Sequence, residues 1–225
     1  ENQDGKQVNE IYASKLGDFK NWNSFAGIST DSYAVSLGSE GAFTGAVNYL
    51  GYPTFFRENY IHKIYGSTPS QFQLRTVNAA GVQSGCGDSI ADVSGTLFYK
   101  SRTAVCAYDG SAPSPVSQKL GDAVKCDSAV GAALGRKYYI SMKYSDGSAA
   151  LYVYDASRGM WHLEDNTDVA SFASVQGELF YVEQSDKCTV RTVCGGGETD
   201  TEMFEWTAET GLIGTETPSK TCLLY

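Results

Sequence analysis

The stretch IADVSGTLFYK, residues 90–100, places a short, mostly apolar strand on each side of a glycine and contains the aromatic pair Phe98–Tyr99. The pattern predicts a β-hairpin with Gly95 at its turn, where a positive φ is often needed. It recurs three times, as AVNYLGYPTFF (46–56), GAALGRKYYIS (131–141) and FASVQGELFYV (172–182). The four turn glycines, Gly51, Gly95, Gly135 and Gly177, are separated by 44, 40 and 42 residues. A period of about 40–45 residues with room for four strands is typical of the blades of a β-propeller.

The composition agrees with an all-β fold. The 225 residues include 24 Gly and 15 Tyr but only 5 Pro, a composition that suits pleated strands and tight turns. We therefore predict one propeller domain of four-stranded antiparallel blades over residues 1–225, cut from a longer chain. The four predicted complete blades cover residues 42–80, 86–122, 126–166 and 168–214.

A fifth, composite blade is predicted from the two ends of the chain. The stretch LYVYDASRGMWHLED (151–165) reads as two strands joined by a polar turn, the second opening near Trp161, and IYASKLGDFKNWNSF (11–25) resembles it. If Trp22 is equivalent to Trp161, then residues 9–27 are the outer half of a blade whose inner strands come from residues 215–225. Such closure leaves no free sheet edge. The alternative is that a longer parent chain supplies the rest of the ring.

Charge and hydropathy exclude two classes of partner. The net charge is −9 and the pI about 4.7, with no cluster of Lys or Arg, so nucleic-acid binding is not expected. No apolar run approaches the ~20 residues that cross a bilayer. No metal or cofactor motif stands out either.

The six cysteines are not arranged as a zinc or redox motif. They lack C-x-x-C spacing, which favours free thiols in a reducing compartment, whereas disulfides would imply secretion. The positions are Cys86, Cys106, Cys126, Cys188, Cys194 and Cys222.

The sequence GDSI (87–90) resembles the start of a sequence motif of serine esterases, in which the serine nucleophile needs a histidine base. Only His62 and His162 are present, and neither lies in a D-x-x-H arrangement. A related turn recurs one repeat later at 126–130, so the motif is interpreted as a turn of the repeat.

Three aspartates are the candidate catalytic residues of a rival interpretation. Asp88, Asp127 and Asp168 precede their turn glycines by 7, 8 and 9 residues, which places each near the start of an inner strand. Propeller glycosidases use a pair of carboxyl groups in such a region. The alternative is that aspartate is simply a common turn residue.

Aromatic residues recur in phase with the repeat and predict the core between blades. The pairs are Phe55–Phe56, Phe98–Tyr99, Tyr138–Tyr139 and Phe180–Tyr181. In a strand, adjacent side chains point to opposite faces, so the two rings of each pair are expected to pack against the two neighbouring blades. Trp161 is expected to pack between blades with His162 facing solvent; a sugar-stacking pair is the alternative.

Residues 151–165 resemble the outer half of a kelch blade, although the kelch double glycine is absent. Most of the chain is more similar to β-propeller segments of virion structural proteins from tailed bacteriophages and prophages. The stretches that carry this resemblance are NEIYASKLGDFKNWNSFAGISTDSYAV (9–35), YLGYPTFFRENYIHKIYGSTPSQFQL (49–74) and GTLFYKSRTAVCAYDGSAP (95–113).

The resemblance implies a non-enzymatic building block of the tail or adsorption apparatus, assembled in the host cytoplasm. Its expected partners are other virion proteins, with host surface glycans as a further candidate. The alternatives are a secreted glycan-binding or glycoside-hydrolysing propeller and a kelch-like bacterial adaptor.

Overall fold

The computed structural model describes residues 9–193, and this part of the chain is all-β with three short 3₁₀ helices at Pro69–Gln71, Gly87–Ser89 and Gln118–Val124. Its strands form five antiparallel sheets, which we number in chain order. Sheet 1 contains β1 (Glu10–Ala13) and β2 (Tyr33–Ser36). Sheet 2 contains β3 (Gly45–Tyr49), β4 (Tyr52–Phe56), β5 (Tyr60–Tyr65) and β6 (Gln73–Asn78).

Sheets 3 to 5 follow in the same manner. Sheet 3 contains β7 (Ala91–Val93), β8 (Thr96–Lys100), β9 (Val105–Tyr108) and β10 (Ser114–Pro115). Sheet 4 contains β11 (Ser128–Leu134), β12 (Lys137–Lys143), β13 (Ala149–Asp155) and β14 (Met160–Asp165). Sheet 5 contains β15 (Val169–Val175), β16 (Glu178–Glu183) and β17 (Arg191–Thr192).

In every sheet the strands pair in the order in which they occur along the chain. Sheets 2, 3 and 4 are therefore four-stranded antiparallel meanders, as predicted, and the architecture is consistent with a β-propeller-like fold. Each of sheets 2 to 5 lies within one of the four predicted blade ranges. The stretch 215–225, expected to complete a composite blade, lies outside the described residues.

The repeat glycines occupy the first hairpin turn of each of these sheets. The turns Leu50–Gly51, Ser94–Gly95 and Gln176–Gly177 have positive φ at both residues, from 52° to 87°. This is the φ pattern of a type I′ turn, which matches the twist of the flanking strands. The prediction of glycine hairpins is confirmed.

Three of the four aromatic pairs pack in the core between sheets, as predicted, whereas the ring of Tyr181 contacts Phe172 of its own sheet. The ring of Phe56 in sheet 2 lies 5.1 Å from that of Tyr99 in sheet 3. The neighbour of Tyr99, Phe98, stacks at 5.4 Å on Tyr138 of sheet 4. Tyr139 then packs in a separate cluster that includes Leu179 of sheet 5. We call this series the aromatic ladder: adjacent residues on one strand face opposite neighbouring sheets.

Trp161 also joins two sheets. Its indole Nε1 donates a hydrogen bond of 2.8 Å to the carbonyl of Val116, beyond the end of β10, while its ring packs 4.9 Å from that of Tyr154. His162 is exposed and lies 3.1 Å from the carboxylate of Glu164. The expectation that Trp161 packs between sheets is confirmed.

The predicted equivalence of Trp22 and Trp161 is wrong. Residues 11–25 do not form a hairpin, because β1 pairs instead with β2 in the register Ile11↔Val35. Trp22 lies in the long loop between these strands and is 42% exposed. The segment that follows β1 forms a wide loop rather than a tight turn, so the sheet extends to Ser36 and beyond the predicted boundary at residue 27.

Gly81 tests how closely the chain packs against the turn between β4 and β5. A Cβ at this buried position would lie 1.8 Å from the carbonyl oxygen of Arg57 and 3.1 Å from that of Tyr60. Because both obstacles are backbone atoms, we expect Gly81→Ala to lower the free energy of unfolding by about 2 kcal/mol or more. Gly38→Ala, where a Cβ meets nothing within 4 Å, should change it by less than about 0.5 kcal/mol. Urea unfolding measures both values, and equal effects would contradict the close approach.

Candidate functional site

The first strands of sheets 2, 4 and 5 and the turn that leads into sheet 3 surround one cavity of about 390 Å³. Mostly small or apolar side chains line it, among them Ala46, Val130 and Phe172. Gly131 allows a close approach here, because a Cβ would lie 2.7 Å from the carbonyl oxygen of Ser89. The cavity thus lies where the inner strands of predicted blades converge.

Asp88 alone of the three candidate aspartates lines this cavity, where it is the sole ionisable residue among the described lining residues. Asp127 is exposed, and the Asp168 carboxylate lies 2.6 Å from the ammonium group of Lys143. Acid–base hydrolysis of a glycoside requires two carboxyl groups around the bond. The cavity as described supplies one, and the glycosidase interpretation stays a prediction.

The GDSI segment has a structural role. Ser89 is fully buried in the 3₁₀ turn, where its hydroxyl donates to the carbonyl of Cys86 at 2.6 Å and accepts from the backbone N–H of Lys100 at 2.9 Å. The first bond closes the turn on itself, and the second holds the turn against β8. A nucleophilic serine needs a free lone pair and a base within reach, so the interpretation as a repeat turn agrees with this geometry.

A buried group of thiols lies next to a buried lysine between sheets 3 and 4. Cys86 shares a hydrogen bond with Cys126, and this contact and burial raise the pKa of the Cys86 thiol. Lys100 is fully buried and donates to Gln83 Oε1 at 2.7 Å, and Gln83 Nε2 donates to the carbonyl of Cys126 at 2.7 Å. Burial lowers the pKa of Lys100. The network joins the two sheets with polar contacts.

A second buried polar group connects sheet 1 to sheet 2. Arg57 is fully buried, and its guanidinium donates to the carbonyl of Ser39 and to the side-chain oxygen of Asn9. Its Nε–H has no hydrogen-bond partner among residues 9–193, and its guanidinium lies 4.7 Å from the ring centre of Phe43. His62, also buried, contacts Thr76 Oγ1 at 2.9 Å and Ser39 Oγ at 3.2 Å.

The most exposed apolar surface of the described residues is the β1–β2 loop, residues 14–32, which we call the apolar loop. Five large apolar side chains within it are at least 42% exposed, at every third position: Leu16, Phe19, Trp22, Phe25 and Ile28. Because these five exposed side chains lie on one short segment, the loop is a candidate interaction surface. The sequence reasoning missed this site, although the three-residue spacing was a visible signal.

Internal hydrogen bonds order the apolar loop. The buried carboxylate of Asp31 accepts from the backbone N–H groups of Gly27 at 2.6 Å and Ile28 at 3.0 Å and from the Ser24 hydroxyl at 3.1 Å. The Ser32 hydroxyl accepts from Ser24 N–H at 3.1 Å. Such a loop presents its apolar side chains with little conformational entropy left to lose on binding.

Within residues 9–193, no group of three or more His, Cys, Asp or Glu side chains is placed to hold a metal ion. In the same range, no helix has the length and apolar character needed to cross a membrane. The chain matches no known protein family, and no curated protein gives a significant match to it.

His62 makes folding stability depend on pH. Burial, with a smaller contribution from the nearby Arg57 charge, lowers the pKa of His62 to about 4, whereas an unfolded histidine has a pKa of about 6.5. Between these values the unfolded chain binds the extra proton, so stability is retained above pH 6.5 and falls as the pH decreases towards 4. We expect His62 to account for a loss on the order of 3 kcal/mol across this window, measured by urea unfolding at a series of pH values.

Substitution of each histidine in turn separates the contribution of His62 to the pH dependence of stability. His62→Gln should remove most of the pH dependence attributed to the imidazole, while His162→Gln, at an exposed side chain, should keep the wild-type profile. Identical slopes for wild type and His62→Gln between pH 6.5 and 4.5 would contradict a neutral buried imidazole.

The cysteines should differ in reactivity. Cys188 is exposed, whereas Cys86, Cys106 and Cys126 are free but buried; Cys194 and Cys222 lie outside the described residues. We expect iodoacetamide to label Cys188 in the native protein and the three buried thiols only in urea, because alkylation needs an accessible thiolate. Mass spectrometry of the peptides identifies the labelled positions. Native labelling of Cys106 as fast as Cys188 would show that the core between sheets is open.

Proposed function

We propose that this chain is a non-enzymatic interaction module of a bacteriophage or prophage tail or adsorption apparatus, which docks through its apolar loop onto another protein of the virion. The observation that carries the proposal is the apolar loop itself. Exposed aromatic side chains such as Phe19 and Trp22 supply the large, rigid contacts that dominate protein–protein interfaces.

The charge of the loop supports a protein partner with an apolar, weakly charged face. Lys15 and Lys20 balance Asp18 and Asp31, so residues 14–32 are neutral within a chain of net charge −9. Asp31, moreover, is buried in hydrogen bonds with its own loop. The loop therefore has no excess charge that would steer it to a nucleic acid or to a charged surface.

The scaffold in this proposal is a β-propeller of five blades. Sheets 2 to 5 supply four blades, and β1 and β2 supply part of the fifth. Consecutive meanders joined by the aromatic ladder, and contacts of β11 with both β7 and β15, support this arrangement. A rigid disc of this kind fixes its loops without depending on their sequence.

The phage context rests on the resemblance of residues 9–35, 49–74 and 95–113 to virion propeller segments. The first of these stretches contains the whole apolar loop. Under this proposal the protein is assembled in the bacterial host cytoplasm, where buried free thiols such as Cys86 and Cys106 are stable.

Photo-crosslinking in the source bacterium tests the proposal. Benzoyl-phenylalanine is introduced at Phe19 in the apolar loop or, as a matched control, at Leu163, an exposed apolar residue on β14. After phage or prophage induction, particles are purified and irradiated. We expect peptides of this chain in the particles and a cross-link from position 19 to another virion protein, with none from position 163.

Two results would contradict the proposal. Absence of the chain from purified particles would remove the virion role. The same cross-linked products from positions 19 and 163 would show that the apolar loop is not a specific docking surface.

A further inference from the structure

A second concave surface lies between sheets 2 and 3, away from both the cavity of the inner strands and the apolar loop. It encloses about 250 Å³. One wall comes from β5 and β6, and the other comes from Tyr108 and the turn residues Gly110 and Ser111. We call it the basic groove, because its two ionisable side chains other than tyrosine are Lys63 and Arg75.

The register of the sheet places these two cations side by side. Lys63 on β5 is directly opposite Arg75 on β6, and Ile61 is opposite Val77 in the same ladder. Side chains of directly opposed residues lie on one face within about 5 Å at their Cβ atoms. Two like charges in this arrangement repel each other unless an anion lies between them.

Lys63 is held in place by three tyrosine rings. Its ammonium nitrogen lies 5.0 Å from the ring centre of Tyr49, 5.1 Å from that of Tyr52 and 5.3 Å from that of Tyr65. The side chain is only 7% exposed. A cation in contact with several aromatic faces is stabilised in a fixed position, so Lys63, which lines the groove, holds its charge in one place beside it.

Neither cation has a counterion within residues 9–193. The ion pairs of this part of the chain do not include Lys63 or Arg75. Asp109, which lies in the chain between the lining residues Tyr108 and Gly110, instead accepts hydrogen bonds from the N–H of Ser111 at 2.9 Å and from its hydroxyl at 2.5 Å. Arg75 is exposed and hydrated, whereas Lys63 is a buried cation with no carboxylate partner in this range, and a bound anion would complete its environment.

The remaining lining is suited to the apolar face of a sugar ring. Tyr65 and Tyr108 offer aromatic surface, and Ile61 and Val77 form an apolar floor. Aromatic rings next to polar groups bind amphipathic ligands, whose C–H face packs on the ring while polar substituents reach charged partners. At about 250 Å³ the groove is smaller than typical drug-sized pockets of ~300–1,000 Å³, so it fits one ring.

From these observations we infer that the basic groove binds a single pyranose residue that carries a carboxylate, such as a uronic or sialic acid unit of a glycan. Arg75 supplies the planar fork that matches a carboxylate, and Lys63 supplies a fixed point charge. A free phosphate fits less well, because it would leave the apolar and aromatic lining of Ile61, Val77 and Tyr108 without a contact. The sugar ring lies on the tyrosine wall.

This inference deepens the proposed function, since it names the class of host glycan that an adsorption protein would contact, yet it rests on different residues. The groove is formed by Lys63, Arg75 and Tyr108, and the apolar loop by residues 14–32. Either site can fail its test while the other passes.

Titrations followed by NMR with the full chain test the groove. The probes are the methyl glycosides of glucuronic acid and N-acetylneuraminic acid, the neutral methyl glucoside, and inorganic phosphate. We expect at least one acidic glycoside to bind with a Kd in the low millimolar range. Added salt should weaken this binding. The neutral glucoside and phosphate should bind at least tenfold more weakly.

Substitutions assign the binding to the groove. Two substitutions should each weaken binding of the acidic glycoside at least tenfold. They are Arg75→Gln, at an exposed strand position, and Lys63→Met, which keeps the apolar part of the buried side chain. Arg102→Gln makes the same charge change at an exposed residue outside the groove and should keep wild-type affinity, as should Phe19→Ser in the apolar loop.

Three outcomes would overturn the inference. They are failure of both acidic glycosides to bind, equal binding of the neutral glucoside, and phosphate binding as tight as that of the acidic sugars. Since Arg75→Gln leaves the buried lysine cage intact, an Arg75→Gln affinity equal to wild type would overturn it even if Lys63→Met does not fold.

Discussion

The contact on which the described fold depends most is the aromatic ladder between sheets. Each second strand contributes two adjacent rings that point in opposite directions, so Phe98 stacks on Tyr138 in one direction and Tyr99 packs on Phe56 in the other. A four-stranded meander alone has two open faces and little core. The ladder buries those faces, and rings of this size contribute most of the apolar area that such sheets can remove from water.

Buried polar groups then fix how the sheets meet. Lys100, Arg57 and His62 are fully buried, and each forms a hydrogen bond with a residue of another strand or loop. Apolar packing is non-directional, whereas unpaired buried polar groups are costly, so these contacts select one arrangement among the many that would bury the rings. Lys63 differs from these groups, because within residues 9–193 its ammonium group lies beside tyrosine rings and forms no ion pair with a carboxylate.

Sequence alone was sufficient for the features that depend on neighbouring residues. The hairpin at Gly95 could be predicted because its turn needs a residue that adopts a positive φ. The packing of Phe98 and Tyr99 on opposite faces could be predicted because side chains alternate along a strand. The pairing of β1 with β2 could not be read in this way, because the loop that contains Trp22 has no local signal for its closure. Lys63 and Arg75 are 12 residues apart, so their proximity depends on a strand register that the sequence does not specify.

The order of the strands has a consequence for synthesis of the protein on the ribosome. Every described sheet is made of consecutive residues, so a sheet can form as soon as its own segment has emerged. At about 5–20 residues per second, one repeat takes roughly 2–8 s to translate, while a hairpin forms in about 1–10 μs. Sheet 2 therefore has time to fold before sheet 3 is complete, and it then offers Phe56 as the surface onto which Tyr99 folds. The nascent chain grows by adding each new sheet to a finished one.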